Sequence, residues 1–323
     1  MLVFGAIRRA MVVAAIVVVV LFAIATALIR QPVLAFGTPS AHHASADRLR
    51  RDMAFLTTDV RPRDAKHGSN LDRAAAYIAN EFSAAGARVT IQNFTARKQR
   101  FRNVIAELGP PAPGEPLLII GAHYDAFSEG GDFPAADDNA SGTAGLLELA
   151  RVLRSHKLAR PVMLVAYANE EPPFFGSEEM GSAVHARWVE ATHRPVDAMI
   201  CLEMIGYYAA VQRWDSWVLR WMYPGRGDFI GVVGGWNDRQ LARSLKRALA
   251  GGGMHAVSFT GPHTMLDASD QRNYWSHGWP AVMVTDTAYE RNPNYHTARD
   301  TADTLDYDRM ARVVDGVAGF VCR

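Results

Sequence analysis

Cysteine is scarce: the 323 residues hold two, Cys201 and Cys322, too few for a disulfide framework, so the fold must rest on its core. An excess of either charge is also missing, with 34 basic against 33 acidic side chains. Nucleic-acid binders carry a concentrated basic surplus, so no nucleic-acid partner is expected. Glycine (26) and proline (16) are too few for a fibrous chain, and 49% hydrophobic residues are too many for a disordered one. Internal repeats and low-complexity tracts are absent. What is left is a chain long enough to bury a sizeable core.

One stretch lacks charge altogether. Residues 10–29 form an apolar run entered through Arg8 and Arg9 and left through Arg30. At about 1.5 Å per residue a helix of this length spans roughly 30 Å, the thickness of a bilayer core. A cleaved signal peptide is the competing reading, because small-residue sites exist at Ala25-Thr26-Ala27 and in the stretch ending at Ala35, but its apolar region is usually only about 7–15 residues. The length therefore predicts a retained transmembrane helix within residues 1–30. Two arginines before it and one after it predict the N-terminus inside and the remainder on the periplasmic or extracellular side. Residues 31–46 read as a linker, with Pro32, Gly37, Pro39 and Ser40; the His42-His43 pair there is either a solvated pair or a metal site. Residues 47–323 are expected to form a single domain.

Within that domain strands and helices alternate. A helix is expected over 69–85, with Ser69 and Asp72 as its capping box. Strands are expected at 89–94 and 101–108, and apolar runs follow at 117–120, 162–168, 198–202, 230–233 and 281–284. Amphipathic helices are expected at 142–154, 238–249 and 306–320. Short β-branched runs separated by helices imply an α/β fold, a mixed and mostly parallel sheet covered on both faces. Ligand sites in such sheets lie beyond the carboxyl ends of the strands.

Those ends carry the chemistry. The first run finishes in Gly-Ala-His123-Tyr-Asp125, where His123 is a candidate zinc ligand and Asp125 its support. Asp137-Asp138-Asn139-Ala-Ser-Gly stands before a helix and alone reads equally as a cap. Glu170-Glu171 and Glu203 end the next two runs. Like charges gathered in one place repel, and a metal cluster resolves the conflict. With His296 included a charge count closes: the four charges of two zinc ions are met by Asp138, Glu171, Glu203 and a bridging hydroxide.

Together the blocks GAHYD, ADDNASG, NEE, LEMIG and NYHTARDTADTL resemble the M28 family of zinc-dependent metallopeptidases, over nearly the whole chain from Ser69. The resemblance implies a zinc-exopeptidase fold with two zinc ions. Asp138 would be the bridging carboxylate, His123 and Glu203 would complete one zinc, and Glu171 and His296 the other. Glu203 stands where many members have Asp. Glu170 matches the family's general base, taking a proton from the metal-bridging water and later delivering it to the leaving amine. Tyr295 is a candidate donor to the tetrahedral oxyanion, with a structural tyrosine as the alternative. The expected activity is aminopeptidase action on peptide or protein N-termini. Glutaminyl cyclases, which resemble this fold and use one zinc, are the alternative, and a non-catalytic binding ectodomain is a second one.

Trp214, Trp217 and Trp221, spaced i, i+3 and i+7 among Arg213 and Arg220, are expected near one helical face. Core packing, a wall beside the substrate pocket and a contact with the membrane all remain open for them.

Overall fold

The computed structural model describes residues 2–30, 44–110, 114–127 and 131–322. Helix α1 (Leu2–Arg30) contains the charge-free run, and its apolar side chains stand exposed, Val18 at 65% and Val19 at 67%. It is long and apolar enough to cross a membrane. The His42-His43 pair and nearly all of the expected linker lie outside the described residues. That linker also ends early, because Ser45 accepts a hydrogen bond from the Arg48 amide and caps α2 (Ala46–Ala54).

Next come α3 (Gly68–Ala84), β1 (Arg88–Ala96), β2 (Gln99–Leu108) and β3 (Leu117–His123). They are followed by α4 (Gly142–Leu153), β4 (Val162–Tyr167), α5 (Gly181–Ala191), β5 (Val196–Leu202) and α6 (Trp217–Met222). The chain closes with β6 (Ile230–Gly235), α7 (Arg239–Gly251), β7 (Ala256–Gly261), α8 (Gln271–Trp275), β8 (Ala281–Thr285) and α9 (Tyr307–Val321). The expected capping box does not form. Helix α3 starts behind His67 with no side-chain cap, and Asp72 pairs instead with Arg102 at 2.9 Å.

The eight strands make one mixed sheet in the order β1-β2-β4-β3-β5-β8-β6-β7. Its centre, β4-β3-β5-β8, is parallel, while β2 and β6 join it antiparallel on either side. Each central strand is buried on both faces, which is why it reads as an unbroken apolar run. Leu118, Ile120, Leu164 and Ile200 face one core with Leu146, Leu245 and Val317 from α4, α7 and α9. Their neighbours Ile119, Met163, Val165 and Met199 face the other, with Val189 of α5 and Tyr274 of α8. Because β3, β4 and β5 run parallel, the residues that follow them leave by the same edge of the sheet.

The three indoles do not share a helix. Helix α6 begins at Trp217 because Ser216 accepts from the Val218 amide and caps it. Trp214 lies before that cap and is buried, its Nε1 donating to the Pro224 carbonyl at 2.9 Å. Trp217 and Trp221 are 78% and 65% exposed.

Candidate metal centre

Past the carboxyl ends of the parallel strands, five side chains from five chain segments converge. Two sets of three have ligand atoms within 4.8 Å of one another: His123, Asp138 and Glu203, and Asp138, Glu171 and His296. Nε2 of His123 is 3.3 Å from Oδ1 of Asp138 and 3.4 Å from Oε1 of Glu203. Nε2 of His296 is 3.0 Å from Oδ2 of Asp138 and 3.4 Å from Oε1 of Glu171. Asp138 thus offers one oxygen to each set.

These distances fit a metal better than they fit direct pairing. Neither His296 Nε2 nor Glu171 Oε1, both buried, makes a well-directed hydrogen bond, so the atoms are close without being aimed at each other. Ligands about 2.0–2.1 Å from a tetrahedral zinc stand about 3.4 Å apart. Nitrogen and carboxylate oxygen donors, three per set, leave a fourth position open on each ion.

Backbone and side-chain hydrogen bonds fix the ligands. Nδ1 of His123 lies 3.1 Å from the Asp125 carbonyl oxygen and 3.4 Å from its carboxylate, leaving Nε2 turned toward the cluster. The Asp125 carboxylate also accepts from the Glu170 and Glu171 amides, each at 3.1 Å. Asp300 accepts from the amides of Asp137 and Asp138. Asn139, joined to Asp138 by a cis peptide, donates to the Leu202 carbonyl at 2.8 Å and to Glu203 Oε2 at 3.2 Å. Its side-chain Oδ1 accepts from the Gly142 and Met204 amides at 3.0 Å. Ser269 donates to the same Glu203 oxygen at 2.7 Å, so Oε1 alone is left to face His123.

Charge is concentrated here. Burial alone would depress His123, but Glu203, Glu170 and hydrogen bonds to Asp125 and Asp138 raise it well above its ordinary value. Burial pushes up Asp138 as well, yet the two imidazoles hold it below the usual carboxylate range. Burial, then Asp138, pushes Glu171 up to about 8 against the pull of His296. Glu170 is raised well above its ordinary value, by burial first and then by Glu203 and Glu171, against His123. Its Oε2 lies 3.8 Å from Nε2 of His123, inside the cluster but in neither set.

The remaining sequence candidates fall around this centre. Tyr295 stacks on His296 at 3.8 Å, and Phe127 covers that imidazole with a 3.9 Å centroid distance and a 4° interplanar angle. Asp137 turns away: it accepts from the Gly206 amide at 3.0 Å and from Asn292 at 2.8 Å. Cys201 is packed in β5 with Sγ 3.5 Å from the Ser269 hydroxyl, outside both sets. Sequence reading gave no role to Asn139, Ser269 or Asp300, nor to Arg63. The fully buried Arg63 donates to the carbonyls of Leu56, Tyr124, Pro134 and Ala135, holding the segments that carry Asp125 and Asp138. Asn139 and Asp300 stood inside the quoted motifs and had a readable signal.

Comparison with known proteins agrees with this geometry. The chain is 49% identical over 286 residues, 85% of its length and 87% of the relative's, to a protein of Escherichia coli (strain K12) named "Uncharacterized protein YfbL". It is 27% identical over 231 residues to a "Probable leucine aminopeptidase" of Trichophyton verrucosum (strain HKI 0517), covering 68% of this chain and 56% of that longer protein. Among solved structures, the glutaminyl cyclase of Porphyromonas gingivalis superposes with a TM-score of 0.66 at 21% identity, over 86% of this chain and 97% of that one. That likeness shows a shared fold. The model of peptidase family M28 matches residues 103–321, the span that holds all five converging side chains, and the chain belongs to that family.

Proposed function

We propose that the chain is a zinc-dependent aminopeptidase, anchored by α1, that hydrolyses the first peptide bond of peptides and proteins. The observation that carries this reading is the pair of three-residue sets sharing Asp138. His123, Glu203 and Asp138 would hold one zinc, and Glu171, His296 and Asp138 the other. Bound there, two zinc ions would lower the pKa of water and polarise a scissile carbonyl.

The chain's own side chains do the rest. Glu170, buried yet uncommitted to either set, takes a proton from the attacking water and returns it to the departing amine. Glu170 and Glu203 also supply the negative charge that receives a free N-terminal ammonium, which makes the enzyme an exopeptidase. Tyr295, set beside His296, donates a hydrogen bond to the oxyanion. Asp125 keeps His123 and the Glu170-Glu171 turn in register. With Arg8 and Arg9 on the inner side of α1, the catalytic residues stand on the outer face of the membrane.

The test is hydrolysis by the full chain in detergent of aminoacyl-anilides and their N-terminally blocked copies, with and without a chelator. Chelator-sensitive release from free substrates alone is expected. Equal hydrolysis of blocked substrates would remove the aminopeptidase assignment, and ring closure of glutaminyl peptides without hydrolysis would make the chain a cyclase.

A further inference from the structure

Far from the metal centre, an apolar cleft of about 960 Å³ opens between α1 and the domain. One wall is a single face of α1, with Val18, Phe22 and Thr26 at fourfold spacing. The other wall includes Trp217, Trp221 and Met254. Phe22 and Trp221 meet with ring centroids 4.4 Å apart, yet both indoles of α6 remain more than half exposed. Isolated exposed apolar residues need no explanation. Here they form one surface with a helix long enough to cross a bilayer.

Cations crown this cleft. Helix α7 carries three arginines and a lysine and no acidic residue. Arg239, Arg243, Lys246 and Ala250, spaced four, three and four apart, run down one stripe of it, and Lys246 and Ala250 reach the cleft wall. The Lys246 amine donates to the Arg30 carbonyl at 2.7 Å, where α1 ends. Burial, then the charges of Arg30 and Arg243, push that amine down to about 8, so three cations crowd the mouth. Arg213 and Arg220 lie exposed in the α6 segment beside a single exposed acid, Asp215.

We propose that this face seats the chain on an anionic phospholipid leaflet, with headgroup phosphates at Arg30 and Arg243 and acyl chains in the cleft between α1 and α6. The dimensions agree. From Val18 to Arg30 α1 rises about 18 Å, slightly more than half of a roughly 30 Å hydrocarbon core. The cleft therefore lies at the depth of one leaflet, with its cations at headgroup level. Indoles prefer that interface, where the ring meets acyl chains and the N–H meets water. Basic residues close to an anionic leaflet surface are attracted to it. The inference rests on α1 as a retained span and adds a second contact that orients the domain.

All seven tryptophans lie at or beyond residue 188 and none is in α1, so quenching by lipid-borne bromine reports contacts of the domain alone. The full chain is placed in nanodiscs of acyl-brominated phosphatidylcholine, with or without phosphatidylglycerol. Quenching is expected in both, stronger with phosphatidylglycerol, and reduced at least twofold in W217F/W221F. The gain from phosphatidylglycerol is expected to vanish in R30Q/R243Q. Thermal midpoints of both variants verify folding, and all four side chains are replaced at solvent-accessible sites. Incorporation into discs without quenching, quenching that survives W217F/W221F, or indifference to headgroup charge would each overturn the seat while leaving α1 a span. Failure to incorporate would overturn the span and the seat together. A detergent dimer dissolved by W217F/W221F would assign the face to a second copy and overturn the lipid.

Discussion

Asp125 accepts a hydrogen bond from the main-chain N–H of Glu170 at 3.1 Å, so a carboxylate just past β3 positions the proposed proton carrier just past β4. The same carboxylate holds the Glu171 amide and lies 3.4 Å from the His123 ring. Replacing Asp125 by Asn sets an amide N–H₂ against these donors. Metal affinity is expected to fall about 10- to 100-fold, with a larger loss of kcat because Glu170 shifts as well. Zinc titration of the metal-free variant, followed by kcat at saturating zinc, checks both. Activity fully restored by excess zinc would limit Asp125 to metal retention.

Glu170→Gln removes the proton acceptor without touching either three-residue set. Zinc content and thermal midpoint are expected to stay within error of the parent while kcat falls about 100- to 10,000-fold. A variant that keeps more than a tenth of parental turnover would remove Glu170 from the proton-transfer step.

Of the five converging side chains, His123, Glu171 and Glu203 were legible in the sequence because each stands at or just past the end of a buried strand, and such strands announce themselves as unbroken apolar runs, whereas Asp138 before a helix and His296 in a loop carry no such signal. The supports of these side chains were not legible. Ser269 reaches Glu203 across 66 positions and Asp300 reaches Asp138 across 162, and no local spacing encodes either pairing. Helix α5 escaped notice because its buried face is built from small residues, Ala183 and Ala186 beside Val189. Strand β7 buries Ser258 and Thr260, which blurs its apolar pattern. The tryptophan spacing misled for a different reason: the cap at Ser216 starts a new helix between Trp214 and Trp217, and periodicity has no meaning across such a break.

Arg63 shows how much stability depends on a residue with no motif. Its guanidinium is fully buried among four carbonyls, and burial lowers it only to about 10 against Asp300, Asp125 and Asp138, so it stays charged at neutral pH. Arg63→Met strands those four acceptors. A loss of about 3–5 kcal/mol is expected, read as a lower urea midpoint at unchanged slope. A loss under 1 kcal/mol would mean that water replaces the guanidinium.

His185 supplies a pH dependence separate from the metal centre. Burial lowers its pKa to about 3, and its Nδ1 sits 2.6 Å from the Tyr274 hydroxyl. The unfolded value is about 6.5, so below that pH the unfolded chain binds a proton that the folded chain refuses. Stability is therefore complete above about pH 6.5 and declines toward pH 3, by about 2 kcal/mol at pH 5. His185→Gln is expected to be less stable at pH 7 but to lose about 2 kcal/mol less between pH 7 and pH 5. Parallel pH profiles of the two proteins would exonerate His185.

Metal removal tests the shared carboxylate directly. Without cations, Asp138, Glu171, Glu203 and Glu170 are four buried acids in contact range of only two imidazoles, an arrangement that like-charge repulsion opposes. Ions that bind the folded chain alone stabilise it by mass action, about 2.7 kcal/mol for each site at a free concentration 100 times its dissociation constant. For a chain of this size that corresponds to a thermal midpoint higher by roughly 4 °C per site. Chelation is thus expected to lower the midpoint, and zinc to restore it. The two sets then separate by substitution: His296→Ala belongs to one set and should bind one zinc per chain, whereas Asp138→Ala belongs to both and should weaken both. Metal analysis after dialysis against a fixed free zinc concentration distinguishes them. If the two variants retain equal zinc, Asp138 does not bridge, because a carboxylate serving a single ion would cost no more metal than the histidine beside it.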